Sequence, residues 1–419
     1  MPKKRRTKGV LDHINVLDLS WVAAGPLCGV LMAYYGATVV RVESAVRVDV
    51  ARGSPPLAGR SRGINKSGYY GAMNLGKYDV CLDLNNARGL EVTNRLVEWA
   101  DIVIEGFTPG TMKQWGLDYK SLRKRKSGII MLSLTLQGQT GPQAPLRGYG
   151  LQVQGMSGMC SLIGWPDSYP TGVTHAYPDY IAPLVATYTV VAALDHRDRT
   201  GEGQHIDLSQ MEAMLNFTGT AIPDYTVNDR VELRAGNRLL AGDAPYAAPH
   251  GVYPTKGRDR WIAIAVFADE EWRALCRVLG RKEWLTNPKF AGQVERCRHD
   301  EELDAAMAKA TKKFEGRALM NRLQKAGVAA GVALDQRDLF DDPQLKHRGH
   351  FVPVVHQEWG DYPAELFGVR LSETPPTVQR PAPCIGQHNE HVLQKMLGYS
   401  QKQFDQLVAD GAVEFYGGD

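Results

Sequence analysis

The chain has 419 residues, 43% of them hydrophobic and 23% charged, with a formal net charge of +3. That is the make-up of an ordinary globular protein too long for one core, so two domains are expected and nucleic acid is not expected as a partner. Part of the charge sits in Lys3, Lys4, Arg5, Arg6 and Lys8, within a basic tail over residues 1–11 that reads as a solvated terminus. No apolar h-region follows it, which argues against a secretory signal. The apolar run Ile181 to Leu194 is shorter than the roughly 18 residues of a membrane span and carries Pro183. The six cysteines are scattered, with no CxxC pair and no metal-ligand spacing, so free thiols, a cytoplasmic location, no membrane partner and no metal are expected.

In chain order, Ile14 to Asp18 reads as a buried strand, and Gly25-Pro26 opens a helix through Tyr35 that Gly36 stops. Thr38 to Val42 is a second strand, followed by Glu43. Strand–helix–strand order predicts a parallel, doubly wound sheet, α/β in class and Rossmann-like. A nicotinamide fingerprint fails, because the turn Val22-Ala23-Ala24-Gly25-Pro26 has one glycine where three are needed. Ala51 to Gly68, polar and rich in Gly, Pro, Arg and Ser, reads as a surface loop. Strands are predicted over Val80–Leu84, Asp101–Glu105 and Ser127–Thr135, with a helix over Arg88–Trp99. Ligands of such sheets bind at the carboxyl ends of the strands.

The stretch Thr174 to Phe217 sets Asp179 between Tyr177 and Tyr180 ahead of an apolar helix. An Asp there is ordinarily the N-cap. Pro183 favours the first helical position, which would put the cap at Ala182 and leave Asp179 outside the helix. The residues alone leave capping, solvation and chemistry all open. After Phe217 the alternation stops. Trp261 to Phe267 reads as a strand and Glu270 to Leu279 as a helix, in a smaller α+β module. The domains are expected at 12–222 (large, first part), 223–330 (small) and 331–419 (connector and return to the large domain).

Several motifs then fall in one order: Leu17 to Pro26, Gly36 to Glu43, Asn74 to Lys77, Phe107 to Gly110 and Gln139 to Pro142. Arg199 to Gln204, Gly236 to Arg238, Asp342 to Gly349 and Gly386 to His388 continue it. Together they resemble the class III coenzyme A transferases, the family of formyl-CoA:oxalate, carnitine and benzylsuccinate CoA-transferases. The resemblance implies a ring-shaped chain in an interlocked dimer, as a homodimer or with a related subunit. It implies acyl-CoA and a carboxylic acid as substrates, with CoA as a co-substrate thioester and no tightly bound cofactor. It places the family's nucleophile on Asp179, forming aspartyl anhydride and aspartyl-CoA thioester intermediates. It brings the backbone of Val22, Ala23 and Ala24 to the thioester, and Lys77, Phe107 and Arg147 to CoA.

The chain departs from relatives at Ser44, Gly106 and Gly150. Where many relatives carry an acid after Gly-Tyr, this chain reads Gly148-Tyr149-Gly150, which makes Tyr149, Gly150 and Tyr177 the candidate substrate contacts. The racemases of the family use a His where this chain has Tyr149, which cannot act as a base near neutral pH; His175 is the nearest substitute. Trp165, Tyr169, Tyr177 and Tyr180 hint at a bulky acceptor such as benzylsuccinate, with succinyl-CoA as donor, in aromatic degradation. The alternatives are a racemase or isomerase, or a CoA-ester-binding subunit of a heteromeric transferase.

Overall fold

Alternation of apolar side chains fixes the sheet. In β1 (Asn15–Asp18), β4 (Ile102–Glu105) and β5 (Ile130–Thr135), Val16, Ile102, Ile104, Ile130 and Leu132 pack on one face. Leu17, Val103 and Met131 pack on the other. Both faces are covered, as a parallel sheet requires. The structure, a computed structural model, describes residues 9–59, 62–242 and 244–417. The charged residues of the basic tail, Lys3 to Lys8, lie outside them. With β2 (Thr38–Glu43), β3 (Tyr78–Cys81) and β6 (His205–Ser209), the sheet runs β3-β2-β1-β4-β5-β6, every pair parallel.

Helices α1 (Ala24–Tyr34) and, later in the chain, α8 (Pro178–Thr200) cover one face. Between β2 and β6 also lie α2 (Gly68–Met73), α3 (Ala87–Trp99), α4 (Thr111–Gln114), α5 (Tyr119–Arg125), α6 (Gly150–Met156) and α7 (Met159–Leu162); α9 (Gln210–Leu215) follows β6. The other face is covered by α3 and by the returning C-terminal stretch, through Val392, Leu393, Phe404, Leu407 and Val413. Each such Leu or Phe contributes about 1.5–3 kcal/mol by burial. No helix of the described residues is long and apolar enough to cross a membrane.

The chain divides into two compact units, Met1–Met159, Gly172–Ile222 and Gln344–Asp419 in one, Cys160–Thr171 and Pro223–Pro343 in the other. The second reaches past residue 330 because Ala329–Val332 pairs with Trp261–Ala265, and because Arg260 then binds Asp335 and Asp338. It takes in 160–171 because the Gly236 N–H bonds the Gly164 carbonyl at 2.9 Å and Arg234 bonds that of Ser168 at 3.0 Å.

Ala51 to Gly68 is not wholly a surface loop. Val50–Gly53 forms a 3-10 turn, and Arg52 is fully buried. Its guanidinium lies 2.6 Å from Glu43 Oε1 and 3.8 Å over the Tyr70 ring, and it donates to the Tyr70 hydroxyl at 2.7 Å. Around it stands a buried charge cluster at the carboxyl ends of β1 and β2 and the amino end of β3. Arg41 binds Asp49, Lys77 Nζ donates to Asp18 Oδ2 at 2.7 Å and to Asn74 Oδ1 at 3.0 Å, and Arg52 lies 3.7 Å from Asp79. Burial and the neighbouring Glu43 carboxylate hold the Asp79 carboxyl well above the usual range, whereas the two guanidiniums hold Glu43 well below it against the opposing cost of burial. Asp79 therefore keeps a proton, and Arg41, Arg52 and Lys77 balance Asp18, Glu43 and Asp49. Helix α1 approaches this layer closely at two glycines. A Cβ on Gly25 would lie 2.3 Å from Ser20 Cβ, and one on Gly29 3.1 Å from Lys77 Cε.

Three substitutions test this packing, each readable by urea unfolding followed by circular dichroism. Glu43→Gln strips a buried anion from two guanidiniums and should cost about 3–5 kcal/mol. Asp79→Asn replaces a neutral acid by a neutral amide and should cost less than about 1 kcal/mol; equal losses would mean that Asp79 is ionised. Gly25→Ala, which would add up to about 1 kcal/mol in an open helix, should instead destabilise by about 1–3 kcal/mol through overpacking against Ser20.

Candidate active site

Strand order reverses between β1 and β4, where open α/β sheets bind ligands. A cavity of about 500 Å³ opens there, lined by Val22 to Gly25 after β1, Gly106 to Pro109 after β4, Thr135 at the end of β5 and Gln210 after β6. Arg147 to Gly150 and Asp179 complete it.

Asp179 is the second residue of α8, not a residue outside it. Pro178 takes the first helical position and Tyr177 the cap, so Pro183 falls inside the helix, contrary to the start expected at Pro183 with a cap at Ala182. Pro183 has no N–H to give the Asp179 carbonyl one turn back, which ordinarily weakens a helix. Here burial of Ile181, Ala182, Ala186, Val190, Ala193 and Leu194 holds α8 together. The chain ahead of Asp179 is fixed by buried Gln154 of α6, whose amide donates to the His175 carbonyl at 3.0 Å and accepts from Val173 N–H at 3.1 Å.

Burial pushes the Asp179 carboxyl up to about 6, against a lowering hydrogen bond from the Gln210 side chain. Asp179 is thus poised, ionised at neutral pH but weakly solvated. A Cβ built on Gly150 would lie 2.7 Å from both Asp179 Cγ and Oδ2 and 2.7 Å from Ala176 Cβ, so a side chain there would displace the carboxylate.

The turn after β1 lines the same cavity. Val22 has φ 66°, a left-handed conformation that costs a β-branched residue about 1–3 kcal/mol. Its N–H donates to Asp49 Oδ2 at 2.9 Å, and Arg41 Nη1 donates to the Ser20 carbonyl at 2.8 Å. The buried charge cluster therefore imposes this turn. Ala23 gives α1 no side-chain cap, and the N–H groups of Ala24 and Gly25 have no acceptor within the helix. They stand at its positive end, on the cavity wall.

The other sequence candidates divide. Phe107 lines the cavity beside Trp21, their rings edge to face at 6.2 Å, and packs on Trp115 at 5.3 Å. Exposed Arg147 and Tyr149 also line it. Tyr177, the α8 cap, does not, nor do His175 and Tyr180. Lys77 is a correction. It is fully buried, held by Asp18 and Asn74, and lies among the ions beneath the turn, where it cannot meet a phosphate. Ser44 closes a local turn by accepting from Val46 and Arg47 N–H.

Sequence reasoning missed Gln210, Thr135 and Trp21, which line the cavity, and Tyr69, whose phenol is pushed up by burial and by the Asp179 charge. Gln210 and Thr135 carried one readable signal, their position at the carboxyl ends of strands.

The model of CoA-transferase family III matches residues 11–389. The chain is 32% identical to the succinyl-CoA–D-citramalate CoA-transferase of Chloroflexus aurantiacus, over 96% of this chain and 98% of that one. It is 34% identical to the succinate–glutarate CoA-transferase of Agrobacterium fabrum, over 93% and 96%. A solved CAIB/BAIF family protein from Brucella suis superposes with a TM-score of 0.85 at 31% identity, over 93% of this chain and 99% of that one. The chain belongs to CoA-transferase family III and is a CoA-transferase.

Proposed function

We propose that this enzyme moves CoA from an acyl-CoA such as succinyl-CoA to a short aliphatic carboxylic acid, with Asp179 as nucleophile. The observation that carries the reading is Asp179 itself, a desolvated carboxylate lining the same cavity as the uncapped N-terminus of α1. A carboxylate oxygen of Asp179 adds to the thioester carbonyl, the C–S bond breaks, and CoA leaves as thiolate. The thiolate then attacks the aspartyl carbonyl of the mixed anhydride, releasing the donor acid and leaving CoA on Asp179. The acceptor carboxylate attacks that thioester, and the expelled thiolate takes the acceptor acyl group, restoring Asp179. No step consumes water, so the anhydride survives only in a closed site. The N–H groups of Ala24 and Gly25 suit the oxyanion that forms at each addition. Phe107 offers an aromatic face to CoA, and Arg147 pairs with a phosphate or a distal carboxylate.

The relatives named above act on citramalate and glutarate, and neither Tyr177 nor Tyr180 lines the cavity. An aliphatic acceptor is therefore preferred to benzylsuccinate and to a role in aromatic degradation. We also propose assembly with a second copy or a related subunit, interlocked as in the family, in the cytoplasm. One face of α8 supports the assembly: Tyr177, Tyr180, Leu184, Tyr188 and Val191, three or four residues apart, are between 36% and 66% exposed.

Acyl-CoA with hydroxylamine should convert Asp179, and no other carboxylate, to a hydroxamate detectable by peptide mass spectrometry. Asp179→Ala should lose CoA exchange by at least about a thousandfold, and retained exchange would remove Asp179 from the mechanism. Because the attacking form is the anion and burial raises its pKa, kcat/KM should fall about tenfold per pH unit below about pH 6. Gln210→Leu removes the hydrogen bond that lowers this pKa, so the acid limb should move to higher pH.

A further inference from the structure

One carboxylate bonded to the cavity's first turn neither takes part in that chemistry nor lines the cavity. Asp49 is 1% exposed and follows β2, 27 positions after Val22. Its ordinary task is a cap: Oδ1 accepts from the Ala51 N–H at 2.9 Å and closes the short turn over Val50–Gly53. That leaves Oδ2, which accepts from the Val22 N–H at 2.9 Å and from the Arg41 guanidinium. Arg41 is itself fully buried and donates from Nη1 to the Ser20 carbonyl at 2.8 Å. A single buried ion pair thus grips the backbone on both sides of Trp21, by a carbonyl before it and an N–H after it.

The grip falls where the backbone resists. Val22 has φ 66°, an angle that glycine takes freely and a β-branched residue avoids. Among the described residues the other non-glycine positions with positive φ are Asp229 and Asp259, whose short polar side chains tolerate it. Strain of this kind persists only where the surroundings over-determine it, and capping a turn elsewhere in the chain does not require it. The residue after Val22 opens α1: the Ala23 carbonyl accepts from the Leu27 N–H at 2.9 Å, and Ala24 and Gly25 follow with N–H groups that have no helical acceptor. The angle at Val22 therefore sets how the chain enters α1, and with it where those N–H groups lie. Resting on the CoA-transfer reading above, we propose that Asp49 is a positioning residue for the chemical step. Its Oδ2 holds Val22 left-handed, and through that angle keeps the Ala24 and Gly25 N–H groups in place for the oxyanion. Asp49 bonds to no substrate atom, so it acts only through the turn.

Asp49→Asn keeps the volume and a capping oxygen but replaces the Oδ2 acceptor by an NH2 donor. With succinyl-CoA as donor and CoA exchange read by mass spectrometry on the full-length enzyme, kcat should fall about a hundredfold. KM for succinyl-CoA should change by less than about threefold, because the loss is confined to the transition state. The decisive comparison adds Val22→Gly, since glycine takes a positive φ with no acceptor to hold it. In that background the loss on Asp49→Asn should shrink at least about tenfold, whereas a residue that only stabilises the fold gives the same loss in both. Asp49→Glu, which keeps the charge in the buried cluster but shifts its oxygens, should show the same rescue, and circular dichroism checks that each variant is folded. Equal losses of kcat with and without Val22→Gly overturn the proposal. So does a rise in KM at unchanged kcat, or a failure of both Asp49 variants to fold, which would make Asp49 a folding residue alone. Absence of Asp179-dependent exchange with any acid in the unsubstituted enzyme defeats the nucleophile reading on which the proposal rests, an outcome distinct from these.

Discussion

The active site depends on a carboxylate that never touches the cavity's contents. Asp49 accepts from Arg41 and from the Val22 N–H, and by doing so holds Val22 in a conformation a β-branched residue avoids. Arg41 in turn is pinned by Asp18, Glu43 and the Ser20 carbonyl, and Glu43 by Arg52 and Tyr70. Buried ion pairs are weak contributors to net stability, since desolvation offsets most of their attraction. What they enforce is geometry. An apolar replacement of equal volume would fill the space but would give Val22 N–H no acceptor, and the strained turn would relax toward an ordinary helix entry. The proton on Asp79 belongs to the same logic, because a fourth anion beside Glu43 would leave the cluster with uncompensated charge.

A second constraint runs through Asp179, where three effects compete. Burial disfavours the anion, while the positive end of α8 and the Gln210 amide favour it. The balance, about 6, leaves a carboxylate that is charged at neutral pH yet less stabilised than one in water. A fully solvated Asp would be a poorer nucleophile, and a deeper one would hold its proton. The missing side chain at residue 150 protects this balance, for an atom there would press on Oδ2 and displace the carboxylate.

The sheet was legible because strands buried on both faces read as short apolar runs punctuated by helical patterns, and those signals are local. Val22, Ala23, Ala24 and Asp179 were nominated by the family resemblance and not by local chemistry, and all four line the cavity. The site was misread where the decisive partner is remote. Arg52 looked like a loop cation because Glu43, Tyr70 and Pro383, which surround it, lie up to 331 positions away. Lys77 looked like a phosphate ligand because its motif suits one, whereas Asp18, 59 positions earlier, had already taken its charge. The start of α8 was misplaced because two prolines, Pro178 and Pro183, both satisfy the rule for a first helical residue. Only packing against α1 and the sheet decides between them.

That placement of α8 bears on the chemistry as well as the fold. With the helix starting at Pro178, Asp179 sits in its first turn, close to the end where unpaired N–H groups concentrate positive potential. With a start at Pro183 it would hang on a flexible lead four residues away and lose both the dipole and a fixed side-chain direction. Pro183 inside the helix then has a different consequence: the Asp179 carbonyl loses its i+4 donor, so the first turn is held from outside, by Gln154 on the preceding chain and by Gln210 on the carboxylate. Two buried glutamines thus position the nucleophile. Of these, Gln210 alone also lines the cavity, so the side chain that lowers the Asp179 pKa belongs to the site itself.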